Sequence, residues 1–474
     1  MSKRPNLSTM TSDEKDALIL ALLAHIEKQD RRIAELERRL GLDSSNSGKP
    51  PSSDGYGKKP CPQNLREKTG KKSGGQEGHE GRNLKQVENP DHVVNHICPC
   101  GECGRQLGLE HSKGYRKRQV FDRPKPQPLE VTEHRAHTGV CPDCNTETAA
   151  PFPEDVSAPT QYGANIAALV VYLQNWQFVP EDRLAELMRD VFGVALSTAT
   201  IAAMAKKKAD ELEGVADEIG KKVKQAAVKH MDETGLRITG VLQWLHVAST
   251  LLLTHYRISR KRGAMLDGVL GIIVHDFWKP YFTIAGVAHA LCNAHHLREL
   301  KNLVEIEKEP WALAMSRFLR QACHAANLAR ERSTSLNPTF IAWMLARYDR
   351  IVVEGLAFHE NQPCLENPQA KRKRRGKPRR RAGHNLLLRL QGHKDDALRF
   401  LTNPDVPFTN NQAERDIRMM KLRQKISGCF RAEAGASTFA TLRTVLSTAR
   451  KQGWNILDTL SQAPQPIAQN LRTA

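Results

Sequence analysis

Aromatic side chains are scarce, 5% of the 474 residues, and no apolar run approaches the ~18 residues that a membrane span requires. The opening segment MSKRPNLSTMTSDEKD lacks the apolar stretch of a secretory signal, so a soluble, intracellular protein is expected. Cysteine is sparse as well. Ten cysteines in a chain this long do not make a disulfide scaffold, and a reducing compartment leaves them available for metal. Acidic residues are in the minority: 52 Asp and Glu stand against 71 Lys and Arg, giving a net charge of +19 and a pI near 9.6. That balance disfavours an acidic small molecule as partner and favours a polyanion, nucleic acid ahead of a membrane surface. What is present suffices to fold: 40% hydrophobic residues, over a length that implies two or more domains.

The chain changes character several times. Between Leu18 and Leu40, Ile19, Leu22, Ile26, Ile33, Leu36 and Leu40 alternate three and four apart, with Gln29 interrupting them. This narrow seam predicts either a short dimeric coiled coil or an amphipathic helix docked on its own chain. From Asp43 to about Asn89 the Ser, Gly, Pro, Lys and Gln content predicts a flexible basic linker. From about Glu154 to Gln225 the pattern is helical, with two helices separated by FGVALS and Ser197 or Thr198 placed to cap the second. That is helix-turn-helix-like, although two packed helices that read no groove would give the same pattern. After Gln225 the period becomes two. AAVKHMDETGLRI, VLQWLHVAST, LLLTHYRIS and GIIVHDFWKPY read as strands, with a helix around Gly263 to Leu270 before the last. Helices return from His289 to about Phe358, the basic run KRKRRGKPRRR follows, and a last helical segment starts near Asn410.

Cys100 and Cys103 form one C-x2-C pair, and Cys141 and Cys144 a second, each among the small or rigid residues that turn a knuckle. Four thiolates at this spacing match tetrahedral structural zinc in a zinc ribbon and leave no open position for catalysis. Cys98 competes with Cys100 for the first place, and unpaired reduced thiols are the bland alternative.

The carboxylates carry the chemistry. Asp232 in VKHMDETG and Asp276 in IIVHDFWKPY each end an apolar strand candidate within one α/β segment, 44 positions apart (276 − 232). If the first and fourth strands are neighbours, the two acids face each other and a metal can bridge them. Phosphodiester chemistry calls for oxygen ligands that tolerate Mg²⁺, and normally for a third carboxylate. Glu414, in FTNNQAERDIRMMKLRQK, suits that role in the first turn of a helix that Thr409 to Asn411 can cap. Glu233 is expected on the opposite strand face, and Asp416 on another face of the helix. Arg415, Arg418, Lys421, Arg423 and Lys425 spread over the same helix, where they can meet phosphates. Each acid alone has an ordinary explanation as a turn former or a helix-dipole partner.

Four ordered blocks, HMDETG, IIVHDFWKPY, HALCNAHHLREL and FTNNQAERDIRMMKLRQKISGCFRAEAGA, resemble the catalytic blocks of the insertion-sequence 66 family of transposases. The resemblance extends over nearly the whole chain. It implies a multidomain α/β plus α protein, in which a coiled-coil helix (1–42), a basic linker (43–90), a zinc-ribbon module (91–153) and an HTH-like helical block (154–225) precede the core. A ribonuclease-H-like core then occupies 226–299 and 396–474, interrupted by a helical insertion (300–395). The implied activity is DDE transposition: binding element ends, hydrolysing a phosphodiester and joining the 3′-hydroxyl to target DNA. The implied ligands of two Mg²⁺ or Mn²⁺ ions are Asp232, Asp276 and Glu414, alongside the structural Zn²⁺. The resemblance also picks out Cys292 and His295 of CNAH, which either assist at the metal or only orient the following helix. Many relatives carry an Asp where this chain has Thr409, which touches the local cap and leaves the three acids intact. Lys371, Arg372, Lys373, Arg374 and Arg375 of the basic run, with Arg415 and Arg418, are the expected backbone contacts to DNA, reading no sequence. A homodimer or higher assembly on paired ends, accessory proteins from the same element and a bacterial cytoplasmic location complete the expectation. A nuclease without strand transfer and a transposase-derived zinc-containing regulator are the alternatives.

Overall fold

The computed structural model describes residues 10–40, 86–121 and 129–473, apart from 97, 107, 115, 141, 264–267 and 364–379. Helix α1 (Ser12–Leu40) comes first, and a small antiparallel hairpin, β1 (Thr138–Val140) and β2 (Glu147–Ala149), lies further along the chain. Next come α2 (Ala164–Val171), α3 (Glu181–Phe192) and α4 (Thr198–Gln225). Ser197 caps α4, its hydroxyl accepting from the Thr200 amide at 3.1 Å, and Gly193 ends α3 in the left-handed region that a C-terminal cap requires.

The second half is built on a five-stranded mixed sheet: β3 (Val228–Ile238), β4 (Val241–Ser249), β5 (Thr254–Ser259), β6 (Gly271–His275) and β7 (Val287–Leu291), in the order β5-β4-β3-β6-β7. The first three strands are antiparallel neighbours, while β6 and β7 run parallel to β3. The first and fourth sheet strands are therefore adjacent. The β3–β4 turn is a two-residue loop, with Thr239 and Gly240 both at positive φ (49° and 80°), which matches the twist of a tight hairpin.

Alternation along β3 decides what covers the sheet. Leu236 and Ile238 join Leu245 and Val247 under Ala413, Ile417 and Met420 of α10 (Asn411–Ser427). Met231 lies on the opposite face with Ile219 of α4 and Val445 and Leu446 of α11 (Glu433–Gln452). The buried stripe of α4 makes it a core helix along most of its length. Short helices α12 (Ile456–Ser461) and α13 (Pro464–Gln469) close that side.

Between β7 and α10 the described elements are helices: α5 (Asn293–Glu305), α6 (Pro310–Glu331), α7 (Pro338–Glu360), α8 (Ala382–Gly392) and α9 (Lys394–Thr402). These helices build a core around Phe318, Leu319, Tyr348 and Leu387 that reaches Val274 and Ala290 of the sheet. Each fully buried large apolar side chain there contributes about 1.5–3 kcal/mol. Gly355 lets α7 approach closely: a Cβ there would come within 2.8 Å of Leu387 and 3.0 Å of Trp311.

The helix expected around Gly263 to Leu270 falls in part outside the described residues, with Gly263, Gly268, Val269 and Leu270 in turn or irregular chain. One expectation fails. His289–Leu291, read as the start of a helix, belongs to β7, whose pairing with β6 outweighs the local pattern.

Candidate active site

The register of β3 and β6 brings the two aspartates together. Val228, Lys229 and His230 pair with Ile272, Ile273 and Val274, a constant offset of 44. Asp232 and Asp276 keep that offset two residues further on, on the sheet face shared by α10. Asp232 does not end a strand as the sequence suggests, since β3 continues to Ile238. Its parallel partner ends instead, leaving the acid at the carboxyl edge of the parallel pair, where α/β sheets open a crevice. Asp276 follows the last residue of β6, and its Oδ1 accepts from the Trp278 amide at 3.0 Å. The Asp232 Oδ1 accepts from the Glu233 amide at 2.8 Å.

Both carboxyls resist ionisation. Burial pushes the Asp232 acid well above its ordinary range, and the charges of Glu233, Asp276 and Glu414 add to it. Burial also raises Asp276, and Glu233 raises it further. Burial and like charge together favour the uncharged form of both acids.

Glu233 turns to the other face. Its Oε1 accepts from the Arg262 Nε and Nη2 at 2.9 and 2.8 Å, and its Oε2 from the Tyr281 hydroxyl at 2.6 Å. The Arg262 guanidinium lies 4.8 Å from the Trp244 ring centre and 4.2 Å from that of Trp278. Asp416 is likewise occupied, 2.7 Å from the Lys451 Nζ.

Glu414 lies in the first turn of α10. Its charge bears on Asp232, but its Oε1 lies 3.9 Å from the His295 Nδ1. Cys292, His295 and Glu414 have ligand atoms all within 4.8 Å of one another, and among the described residues no equally tight set unites Glu414 with both aspartates. The expected helix cap is absent in form: Asn410 is the N-cap residue of α10, but its side chain makes no capping bond. It is spent on β3. The Asn410 Nδ2 donates to the Met231 carbonyl at 2.8 Å, Oδ1 lies 3.0 Å from the His230 Nδ1, and its amide donates to the Cys292 Sγ at 3.1 Å. This buried Asn sets the start of α10 beside Asp232, a role the sequence signalled only by placing an Asn pair ahead of Glu414.

Arg415 and Arg418 are exposed on α10. Arg423 departs from the expected phosphate-facing set, its guanidinium lying 3.6 Å from the Phe430 ring centre. Lys371, Arg372, Lys373, Arg374 and Arg375 lie outside the described residues, as does Cys141. Cys100 and Cys103 sit in a tight turn, where the Gly104 amide donates to the Cys100 carbonyl at 3.0 Å and the Cys100 amide to the Arg105 carbonyl at 2.8 Å. Hydrogen bonds from the Cys103 and Glu102 backbone lower the Cys100 thiol. Cys144 lies between the strands of the β1–β2 hairpin.

A mixed α/β core thus carries the half-buried Asp232 and Asp276 at the carboxyl edge of its parallel strand pair. Residues 159–438 match the transposase IS66 family. The chain belongs to that family. Residues 2–85 match a family of unknown function (DUF6444). An uncharacterized protein of Sinorhizobium fredii, y4jO, is 36% identical over 87 residues, 18% of this chain. The chain spans 27% of the length of that relative. No described helix is long and apolar enough to cross a membrane.

Proposed function

We propose that this protein is a DDE transposase with a ribonuclease-H-like core, which binds the ends of its own element, hydrolyses a phosphodiester and joins the freed 3′-hydroxyl to target DNA. The observation that carries this reading is the 44-residue register offset, which sets Asp232 and Asp276 side by side on the face covered by α10. The sheet order, three antiparallel strands followed by two parallel ones, supports the core assignment.

The donor set fits Mg²⁺ or Mn²⁺. Asp232, Asp276 and Glu414 offer only oxygen, and both aspartates are raised by burial and by neighbouring carboxylates, Glu233 foremost, so a hard cation relieves them. When bound, two such ions supply charge neutralisation at the phosphate and a more acidic water or 3′-hydroxyl. The chain does the rest. The Glu233 and Trp278 amides each hold one aspartate oxygen, Asn410 fixes the start of α10, and Arg415 and Arg418 face outward to hold DNA phosphates. The run Lys371, Arg372, Lys373, Arg374 and Arg375 would follow the backbone without reading bases. Cys100, Cys103, Cys141 and Cys144 would hold a structural Zn²⁺, which with the α2–α4 block serves end recognition. The exposed seam of α1 would pair with a second copy, joining two element ends.

The test supplies pre-cut element ends and target DNA with Mg²⁺. Joined product, lost in Asp232→Asn, Asp276→Asn and Glu414→Gln, is expected. Cleavage without joining would instead identify a nuclease, and DNA binding that survives with no cleavage in any condition would identify a regulator.

A further inference from the structure

Cys292, His295 and Glu414 form a constellation that the oxygen-only triad does not explain. Cys292 follows β7 directly as the N-cap of α5, His295 lies in the first turn of α5, and Glu414 in the first turn of α10. The three come from the two points where the helical segment α5–α9 leaves the sheet and returns to it. The His295 Nδ1 and Glu414 Oε1 are buried atoms without a hydrogen-bond partner, 3.9 Å apart, and Cys292 is 1% exposed. Leaving two such atoms unpaired is costly unless something occupies the space between them. Water between them would satisfy the polar pair but would not engage the Cys292 thiol, whose sulfur lies within 4.8 Å of a ligand atom of both residues.

We propose that Cys292, His295 and Glu414 bind a thiophilic divalent cation of the zinc class, at a position separate from the Mg²⁺ sites of the aspartates. One sulfur, one imidazole nitrogen and one carboxylate oxygen form a mixed set that zinc accepts and that Mg²⁺, which prefers oxygen, does not. The geometry is close to ready. A tetrahedral ion at ordinary zinc–ligand distances needs donors roughly 3.3–3.8 Å apart, and here all three lie within 4.8 Å. Three protein ligands leave a fourth position for water. Binding displaces the thiol proton to solvent, forms zinc–sulfur, zinc–nitrogen and zinc–oxygen bonds, and changes no oxidation state. Such an ion fastens the start of α10 to the start of α5. It holds Glu414 by one oxygen, which fixes the distance of its carboxylate from Asp232. The Asn410 amide, donating to the Cys292 Sγ at 3.1 Å, is already placed to stabilise a thiolate.

Glu414 belongs to the proposed triad as well, but the test of this cation site reads metal uptake and not DNA chemistry. The full chain carrying Cys98→Ser, Cys100→Ser and Cys103→Ser, which disables the N-terminal cysteine cluster, is titrated with Co²⁺. A thiolate-to-cobalt absorption band saturating near one equivalent and displaced by Zn²⁺ is expected. It should vanish on adding Cys292→Ala or His295→Gln while circular dichroism is unchanged. Should Cys292→Ala fail to fold, His295→Gln at its half-buried position decides. A band that survives in His295→Gln, or a folded parent chain that shows none, overturns the proposal. If uptake fails while cleavage still depends on the three acids, the catalytic reading stands and this one falls. If uptake holds while cleavage is indifferent to the acids, the reverse is true.

Discussion

Asn410 shows how one side chain can carry the geometry of a site it does not chemically join. It is 2% exposed, and its amide group joins the Met231 carbonyl, one residue before Asp232, to the helix that carries Glu414. Burial holds the neighbouring His230 imidazole neutral, its pKa lowered to about 4, so the Asn410–His230 contact is between uncharged groups. Replacing Asn410 by Ala strands the Met231 carbonyl in the interior, which costs about 1–3 kcal/mol. The expected outcome for Asn410→Ala is that loss in denaturant unfolding, with cleavage reduced at least tenfold even at saturating Mg²⁺. Unchanged cleavage in a destabilised protein would show that Asn410 serves stability alone.

Among the elements, the helical segment has its own electrostatic knot. The side chain of Glu309, just before α6, accepts from the Trp311 Nε1 at 2.7 Å and lies 3.2 Å from the His359 Nε2 of α7, while Gly383 of α8 leaves room for its carboxylate. Burial raises the Glu309 pKa to about 7 and lowers that of His359 to about 4. These shifts act on stability with opposite signs. Between its ordinary 4.5 and about 7, the folded Glu309 holds a proton that the unfolded chain has lost, so its contribution is present at low pH and lost as pH rises. Between about 4 and 6.5, the unfolded His359 binds a proton that the folded state rejects, so its contribution grows as pH rises. The two nearly cancel in the native pair. Glu309→Gln should unmask the His359 slope: relative to the parent, the melting temperature of the variant climbs as pH goes from 4.5 to 7. A difference that is flat over this range would show that Glu309 ionises normally.

Over the whole molecule, the net charge of +19 sets how DNA is held. Lys and Arg side chains that meet phosphates release counterions, so affinity falls steeply and log-linearly with salt. Removing Lys371 to Arg375 should weaken binding to unrelated sequences and to element ends alike, and should lower the slope by about 0.9 for each phosphate no longer neutralised. An unaltered slope in binding isotherms at several salt concentrations would place the phosphate-binding side chains elsewhere.

Local pattern sufficed for much of this protein. The two-residue alternation of VKHMDETGLRI reports a strand half covered on each side, and β3 follows it for eleven residues. Ser197 announced the start of α4, and the apolar seam of α1 is read from spacing alone. The family was legible because the resemblance rests on ordered blocks. Other features depend on partners distant in sequence. β7 is a strand because β6 lies beside it, and its five residues carry too little pattern to outvote the helical run that follows. That Asp232 sits within a strand, beyond the point where its parallel neighbour stops, depends on the length of β6. The orientation of Glu414 toward His295, and the buried Asn410 that sets it there, arise from contacts across more than a hundred residues of intervening chain. Composition and spacing determined which residues could do chemistry, because side-chain type and local periodicity are properties of the chain itself. Only tertiary packing decided which of them meet, because proximity across the insertion is a matter of how the sheet and helices close on one another.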